Sequence, residues 1–284
     1  MLNLMYITKR PEIALIAENA GVDWIFVDME FIGKDMRQAG LDTVQNHHTI
    51  EDVRNIKSVV KKAKVLVRVN PIHDVIGDYP ATEDEVEEAI KAGADILMLP
   101  FFKKVSEVQR FIRAVQESSI KVGRKIKTCL LVETPESVVL LDKILDLSGI
   151  DMIHLGLNDL HLALGMKFMF ELLADGTVDR LCLKIKAKGI PFGFGGIASL
   201  RGGMLPGSMV LKEHYRLGSS MVIVSRSFCN TDKITDMNEI ARIFNAGIAE
   251  IRALEKEAEF VARYFIDNRN DVLSRVKSIV LNNN

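Results

Sequence analysis

EAIKAGADILMLP (residues 88–100) places a helical stretch, a glycine stop and a short apolar run side by side. Glu88–Ala92 continue a helical pattern, and Gly93 supplies the left-handed residue that ends a helix. Ile96–Leu99 are apolar without alternation, as in a strand covered on both faces. The same device recurs in AGVDW (20–24), SGIDM (148–152), KGIPF (188–192) and LGSSM (217–221). A repeated phrase of helix, tight turn and buried strand marks a parallel α/β fold.

Working outward, the apolar runs are 2–7, 24–29, 64–69, 95–99, 126–133, 151–155, 191–195 and 221–225. Helical patterns lie between them at 11–20, 50–62, 83–92, 105–116, 135–147, 178–188 and 207–216, with Pro11 and Pro135 placed to open theirs. Eight strands and seven helices describe a (β/α)₈ TIM barrel with extra C-terminal helices. An open doubly wound sheet fits less well, because strand one runs into ITKRPE (7–12) rather than a glycine-rich loop. The barrel core is expected at 1–232 and a helical extension at 233–284, within one domain. In that extension Val261/Phe265 and Val272/Val276/Val280 form an apolar stripe. It suits packing on the barrel and a subunit contact equally. A homo-oligomer is the expectation carried forward.

Composition sets the outer bounds. The chain has 284 residues, 48% of them hydrophobic and 26% charged, with a formal net charge of −1. It shows no block of like charge that would mark a nucleic-acid or membrane partner. No apolar run reaches the ~18 residues of a membrane span. Cys129, Cys182 and Cys229 lack metal-ligand spacing, and three sparse cysteines suit a reducing compartment. Without a signal-peptide pattern in MLNLMYITKRPE, a cytoplasmic location is expected.

The loops leaving strands are the long ones: 30–49, 70–82, 156–177 and 196–206. In barrels such loops build the active site. At these strand ends stand Asp28 and Glu30, Arg68 and Asn70, Glu133, Gly156-Leu157-Asn158-Asp159, and Ser225-Arg226. Charges there must be paired, metal-bound or solvated. Glu133 and Asp159 leave adjacent strands and can converge on Mg²⁺ or Mn²⁺. The plainer alternative has Glu133 paired with Arg68 and Asp159 opening the next turn. The strand lysines Lys64 and Lys127 lie at strand beginnings, which excludes a Schiff base at the mouth. His47 and His48 precede a helix that Thr49 can cap. One of them, oriented by Asp28, suits a general base, although solvated histidines beside a cap read equally well.

The phrases GVDWIFVDME (21–30), HTIEDV (48–53), VLVRVN (65–70), AIKAGADILMLPFF (89–102), LLVETPESV (130–138) and GIDMIHLGLNDLHLALG (149–165) resemble the HpcH/HpaI aldolase and citrate-lyase family of pyruvate/phosphoenolpyruvate barrels. The likeness runs from residue 2 to about residue 228. By this resemblance Glu133 and Asp159 are the metal carboxylates, and Arg68 steadies an enolate oxygen. Asp28 partners the catalytic His48, and Gly156, Leu157 and Asn158 bind a pyruvate carboxylate. The implied activity is a divalent-metal (class II) aldolase or lyase joining a pyruvate-type enolate and an aldehyde. Its partners are then a 2-oxo acid and an aldehyde.

Three departures stand out. Phe31 follows Glu30 and a 31–47 insertion intervenes before His48. Leu131 replaces a glutamine found in some members, and the 196–206 loop (GIASLRGGMLP) and tail look specialised. The rival activities are an acyl-CoA lyase, with Arg201 and Lys212 near a nucleotide, and a phosphoenolpyruvate-using barrel holding phosphate at Gly195-Gly196 and Ser225-Arg226. A metal-binding barrel without turnover is the non-enzymatic rival.

Overall fold

A computed structural model describes residues 1–33, 48–258 and 262–282. Eight strands pair in parallel and in chain order: β1 (Asn3–Ile7), β2 (Trp24–Asp28), β3 (Lys64–Arg68), β4 (Ile96–Leu99), β5 (Lys127–Val132), β6 (Met152–Leu155), β7 (Phe192–Ile197) and β8 (Met221–Val224). β8 returns to β1, so the barrel is closed. The described helices are α1 (Pro11–Ala20), α2 (Ile50–Val59), α3 (Thr82–Ala92), α4 (Val105–Val122), α5 (Pro135–Val139), α6 (Leu141–Leu145), α7 (Leu157–Ala163), α8 (Glu171–Ala174), α9 (Thr177–Ala187), α10 (Gly207–Leu217), α11 (Met237–Ala258) and α12 (Ala262–Asn282). The chain is a (β/α)₈ TIM barrel with additional C-terminal helices. None of the described helices is long and apolar enough to cross a membrane.

Several boundaries differ from the sequence expectation. α2 stops at Val59 rather than Lys62, because the Glu18 carboxylate accepts the main-chain N–H groups of Lys61, Lys62 and Ala63 at 2.8, 2.6 and 2.7 Å. Three charge-assisted bonds outweigh one more helical turn. α4 runs on to Val122 and ends at Gly123. The segment 135–147 is broken at Leu140, and the 156–177 loop contains the short helices α7 and α8.

Side chains alternate between two cores. Trp24, Phe26, Leu66, Met98, Leu131 and Met152 point into the barrel, while Ile25, Val27, Val67, Leu130, Val132 and Ile153 pack under the helices. The inner set is a dry floor. Continuing the period of two upward places Asp28, Glu30, Arg68, Glu133, His154 and Gly156 on the axis side, above that floor.

The Val272/Val276/Val280 part of the tail's stripe packs on the chain's own barrel. α11 packs against α1 and α10, and α12 against α10 and α8, with Val272 and Val276 buried. Asn268 Nδ2 donates to Met209 O at 3.1 Å and to Glu213 Oε1 at 3.0 Å, and Arg269 Nη1 donates to Leu173 O at 2.7 Å. Val261 lies outside the described residues.

Two buried histidines give a stability signature. The His214 ring stacks on Phe194 with centroids 3.8 Å apart, and burial, then the neighbouring His154, hold it well below its ordinary pKa. Burial likewise lowers His154 to about 4. Both are neutral when folded, whereas the unfolded chain protonates them below about pH 6.5. The unfolded state then binds more protons, so their contribution to stability falls as pH drops below that value. Each costs up to about 1.4 kcal/mol per pH unit. Urea unfolding of His214→Phe should lose about one such slope relative to wild type between roughly pH 6.5 and 5. Equal slopes in the two proteins would show that His214 is hydrated or already charged.

Candidate active site

Asp28 and Arg68 face each other because β2 and β3 pair them in register. Arg68 Nε donates to Asp28 Oδ1 at 2.7 Å and Nη2 donates to Oδ2 at 2.8 Å, a bidentate fork. Its remaining arm, Nη1, lies 3.2 Å from Glu30 Oε2. Asp28 is fully buried and Glu30 nearly so. Burial opposes the charge on Arg68, but Asp28 and then Glu30 override it and hold the guanidinium well above its ordinary pKa. Glu30 thus belongs to the cluster, although the sequence marked it only as a strand end. The signal was there: two residues beyond an inward Asp28, it points the same way.

His48 is buried against β2, where the main-chain N–H of Asp28 donates to its Nδ1 at 3.0 Å. Asp28 therefore holds the ring through its backbone, while both of its carboxylate oxygens accept from Arg68. With Nδ1 accepting, the neutral ring carries its proton on Nε2. A general base acting at Nε2 needs the opposite tautomer. Thr49 caps α2 in a reciprocal box with Asp52, which fixes the backbone just after His48. His47 and the insertion from residue 34 onward lie outside the described residues.

The start of that insertion is anchored at Asn70. Its Oδ1 accepts the N–H groups of Phe31 and Ile32, both at 2.9 Å, and its Nδ2 donates to Glu85 Oε1 at 2.8 Å and Tyr79 Oη at 2.9 Å. Phe31 also meets Tyr79 edge to face. Sequence reading noted Asn70 as a strand end but not as a clamp.

Glu133 stands where β5 ends, 2% exposed. Its Oε1 accepts the N–H of Phe101 at 3.0 Å. Phe101 has φ +49°, the one positive φ of a non-glycine among the described residues, so backbone strain after β4 aims this donor. β6 runs beside β5, and Gly156 N–H donates to Val132 O at 2.9 Å. A Cβ on Gly156 would sit 2.7 Å from Glu133 Cβ and 2.8 Å from its Oε2, so the close approach requires glycine. α7 begins immediately after it. Leu157 turns into the core, Asn158 is exposed, and Asp159 is half-buried in the first turn.

Burial pushes the Glu133 carboxyl well above its ordinary pKa, and the charges of Glu30 and then Asp159 push it further. Arg68 and the Phe101 N–H pull it back. Arg68 itself is spent on Asp28 and Glu30, the geometry of an inner pair rather than of a Glu133 salt bridge. Asp28, Glu30 and Glu133 around one guanidinium, with Asp159 acting on Glu133, make a mouth with excess negative charge and oxygen donors. That donor chemistry fits a hard divalent cation. Among the described residues no group of three or more His, Cys, Asp or Glu side chains is arranged to hold a metal.

At the β7 and β8 exits a cavity of about 180 Å³ is lined by Phe168, Phe170, Leu205 and Val210, together with Gly196 and Ser225. No charged side chain lines it, which is a poor seat for phosphate.

The solved structures similar to this chain share the barrel. An HpcH/HpaI aldolase from Desulfitobacterium hafniense DCB-2 superposes with a TM-score of 0.59 at 17% identity, over 79% of this chain and 86% of that one. An HpcH/HpaI aldolase/citrate lyase family protein from Burkholderia cenocepacia J2315 gives 0.58 at 16%, over 88% and 95%. A citrate lyase from Burkholderia xenovorans LB400 gives 0.57 at 14%, over 98% and 92%. Likeness at such identities carries the fold alone. Among curated proteins none matches the chain. The model of the HpcH/HpaI aldolase/citrate lyase family, however, matches residues 3–186, a span holding every residue of the cluster from Asp28 to Asp159. By that match the chain belongs to the HpcH/HpaI aldolase/citrate lyase family.

Proposed function

We propose that the protein is a divalent-metal-dependent carbon–carbon lyase that forms or cleaves the bond between a pyruvate-type enolate and an aldehyde. The observation that carries this reading is Glu133, buried at a strand end among like charges and closed upon by Gly156. A carboxylate held in that way is costly unless a cation joins it. Mg²⁺ or Mn²⁺ between Glu133 and Asp159 would supply Lewis-acid polarisation of the 2-oxo acid and stabilise the enolate. The Gly156–Asn158 turn would receive the substrate carboxylate on its main chain.

The chain's own residues would do the rest. Arg68, locked by Asp28 and Glu30, offers fixed positive charge to the oxygen that becomes negative, at no cost of reorganisation. His48, with its proton on Nε2, suits hydrogen-bond donation to the aldehyde oxygen as negative charge develops on it. In cleavage the same Nε2–H stabilises the oxygen that becomes the carbonyl, and the hydroxyl proton leaves to water. The pyruvate methyl proton leaves to water, not to His48. Asp28 is then a positioning residue for both.

Deuterium exchange into the pyruvate methyl group tests this reading with Mg²⁺ or Mn²⁺ present and after chelation. Exchange that needs the metal is expected; none under either condition sinks the proposal. His48→Ala should keep exchange within about tenfold and lower aldol cleavage by about a hundredfold. Equal loss of both would return His48 to the role of base.

A further inference from the structure

At the opposite end of the barrel, where strands begin, the fold brings together two short basic runs, KKAK (61–64) and RKIK (124–127). β4 alone separates β3 from β5, so Lys64 and Lys127, the first residues of those strands, flank Asp95 just before β4. With Lys57, Lys61, Lys62 and Lys125 they line a groove of about 360 Å³. Six lysines and one carboxylate face this space, in a chain whose formal net charge is −1.

That carboxylate is already committed. Asp95 Oδ2 accepts from Lys57 Nζ at 2.6 Å and from the Val65 N–H at 2.9 Å, and its Oδ1 accepts from Arg124 Nη2 at 3.1 Å. Lys61 Nζ donates to Ser58 O. Among the described residues no carboxylate lies within ion-pair distance of Lys62, Lys64, Lys125 or Lys127. Helix ends explain part of this. α2 and α4 end here, and lysines beside a helix C-terminus answer its dipole. Lys64 and Lys127 belong to strands and have no such duty. Their convergence needs another cause.

We propose that this groove binds a chain of linked phosphates, as in inorganic tripolyphosphate or the tail of a nucleoside triphosphate. Lysine ammonium groups are compact point charges that suit phosphate oxygens approaching from several directions. No aromatic side chain lines the groove, so a nucleic-acid base has nothing to stack on. The site is also short and concave, unlike the extended stripe a long polyanion follows. The phosphate chain is therefore the recognised part, and a nucleoside adds nothing to it.

Calorimetric titration with tripolyphosphate at about 20 mM salt tests the site, independently of any catalysis. One equivalent is expected to bind, with ATP within about threefold of it and both weakening as salt rises. K64Q/K127Q should bind at least about tenfold more weakly. K184Q/K188Q alters two exposed lysines, one in α9 and one at its C-cap, paired with Asp142 and Asp146, and should bind as wild type does. Thermal melting checks that both double variants fold; all four lysines are exposed. Absence of binding, several equivalents of loose binding, equal loss in the control, or binding of single-stranded RNA in place of tripolyphosphate would each overturn the assignment.

Discussion

Arg68→Met is expected to lower the unfolding free energy by about 3–5 kcal/mol at neutral pH. The reason is what it leaves behind. Asp28 is fully buried and has both oxygens on the guanidinium, and Glu30 rests on the third arm. Removing the cation strands two carboxylates above an apolar floor of Phe26, Leu66 and Met98. The loss of an exposed surface pair would be below about 1 kcal/mol, so the size of the effect reports burial directly. Asp28→Asn in the same chain should recover a large share, since it deletes one of the orphaned charges. The penalty should also shrink in acid, as the stranded carboxyls take up protons. Urea unfolding of the single and double variants measures all of this. A change under about 1 kcal/mol would mean that water already solvates the cluster. Arg68→Lys does not rescue the site on this view, because an ammonium cannot span both oxygens of Asp28 and reach Glu30.

The barrel was legible because it is written locally and repeatedly. Each of Gly21, Gly93, Gly149, Gly189 and Gly218 adopts a positive φ before a buried strand, and none depends on distant contacts. Asp28 and Arg68 were each legible as strand-end charges, but their pairing was not: the sequence set Asp28 beside a histidine and offered Glu133 to Arg68, and the register of β2 and β3 makes the pair. What escaped the sequence depends on long-range bonds. Glu18 ends α2 from more than forty residues away, and no propensity in 60–62 announces it. Phe101 donates to Glu133 only because its backbone takes a left-handed turn that Phe ordinarily avoids. The tautomer of His48 follows from a main-chain N–H, and side-chain identities carry no information about which N–H will be aimed at a ring. The two lysine runs lie some sixty residues apart, and only the topology places them across β4 from each other.

Glu133→Gln separates a working carboxylate from a structural one. The amide keeps the size of the side chain, and its oxygen can still accept from the Phe101 N–H. What it loses is the charge. In the proposed reaction that charge holds the metal, so metal-dependent exchange of the pyruvate methyl group should fall on the order of a thousandfold, about 4 kcal/mol of barrier. Stability without metal should move the other way. Burial first, then Glu30 and Asp159, raise the folded-state pKa of Glu133, so the folded protein pays to keep it ionised above that pKa. A neutral amide removes the penalty. Melting of the variant in chelator should therefore match or exceed wild type, and added Mg²⁺ or Mn²⁺ should stabilise wild type but not the variant, as linkage requires of a ligand that binds only the folded state. A carboxylate serving as Arg68's structural partner would behave in the reverse sense, with Glu133→Gln losing stability while exchange survived. Gain of stability together with loss of exchange is the pattern of a site whose strain is kept for its chemistry.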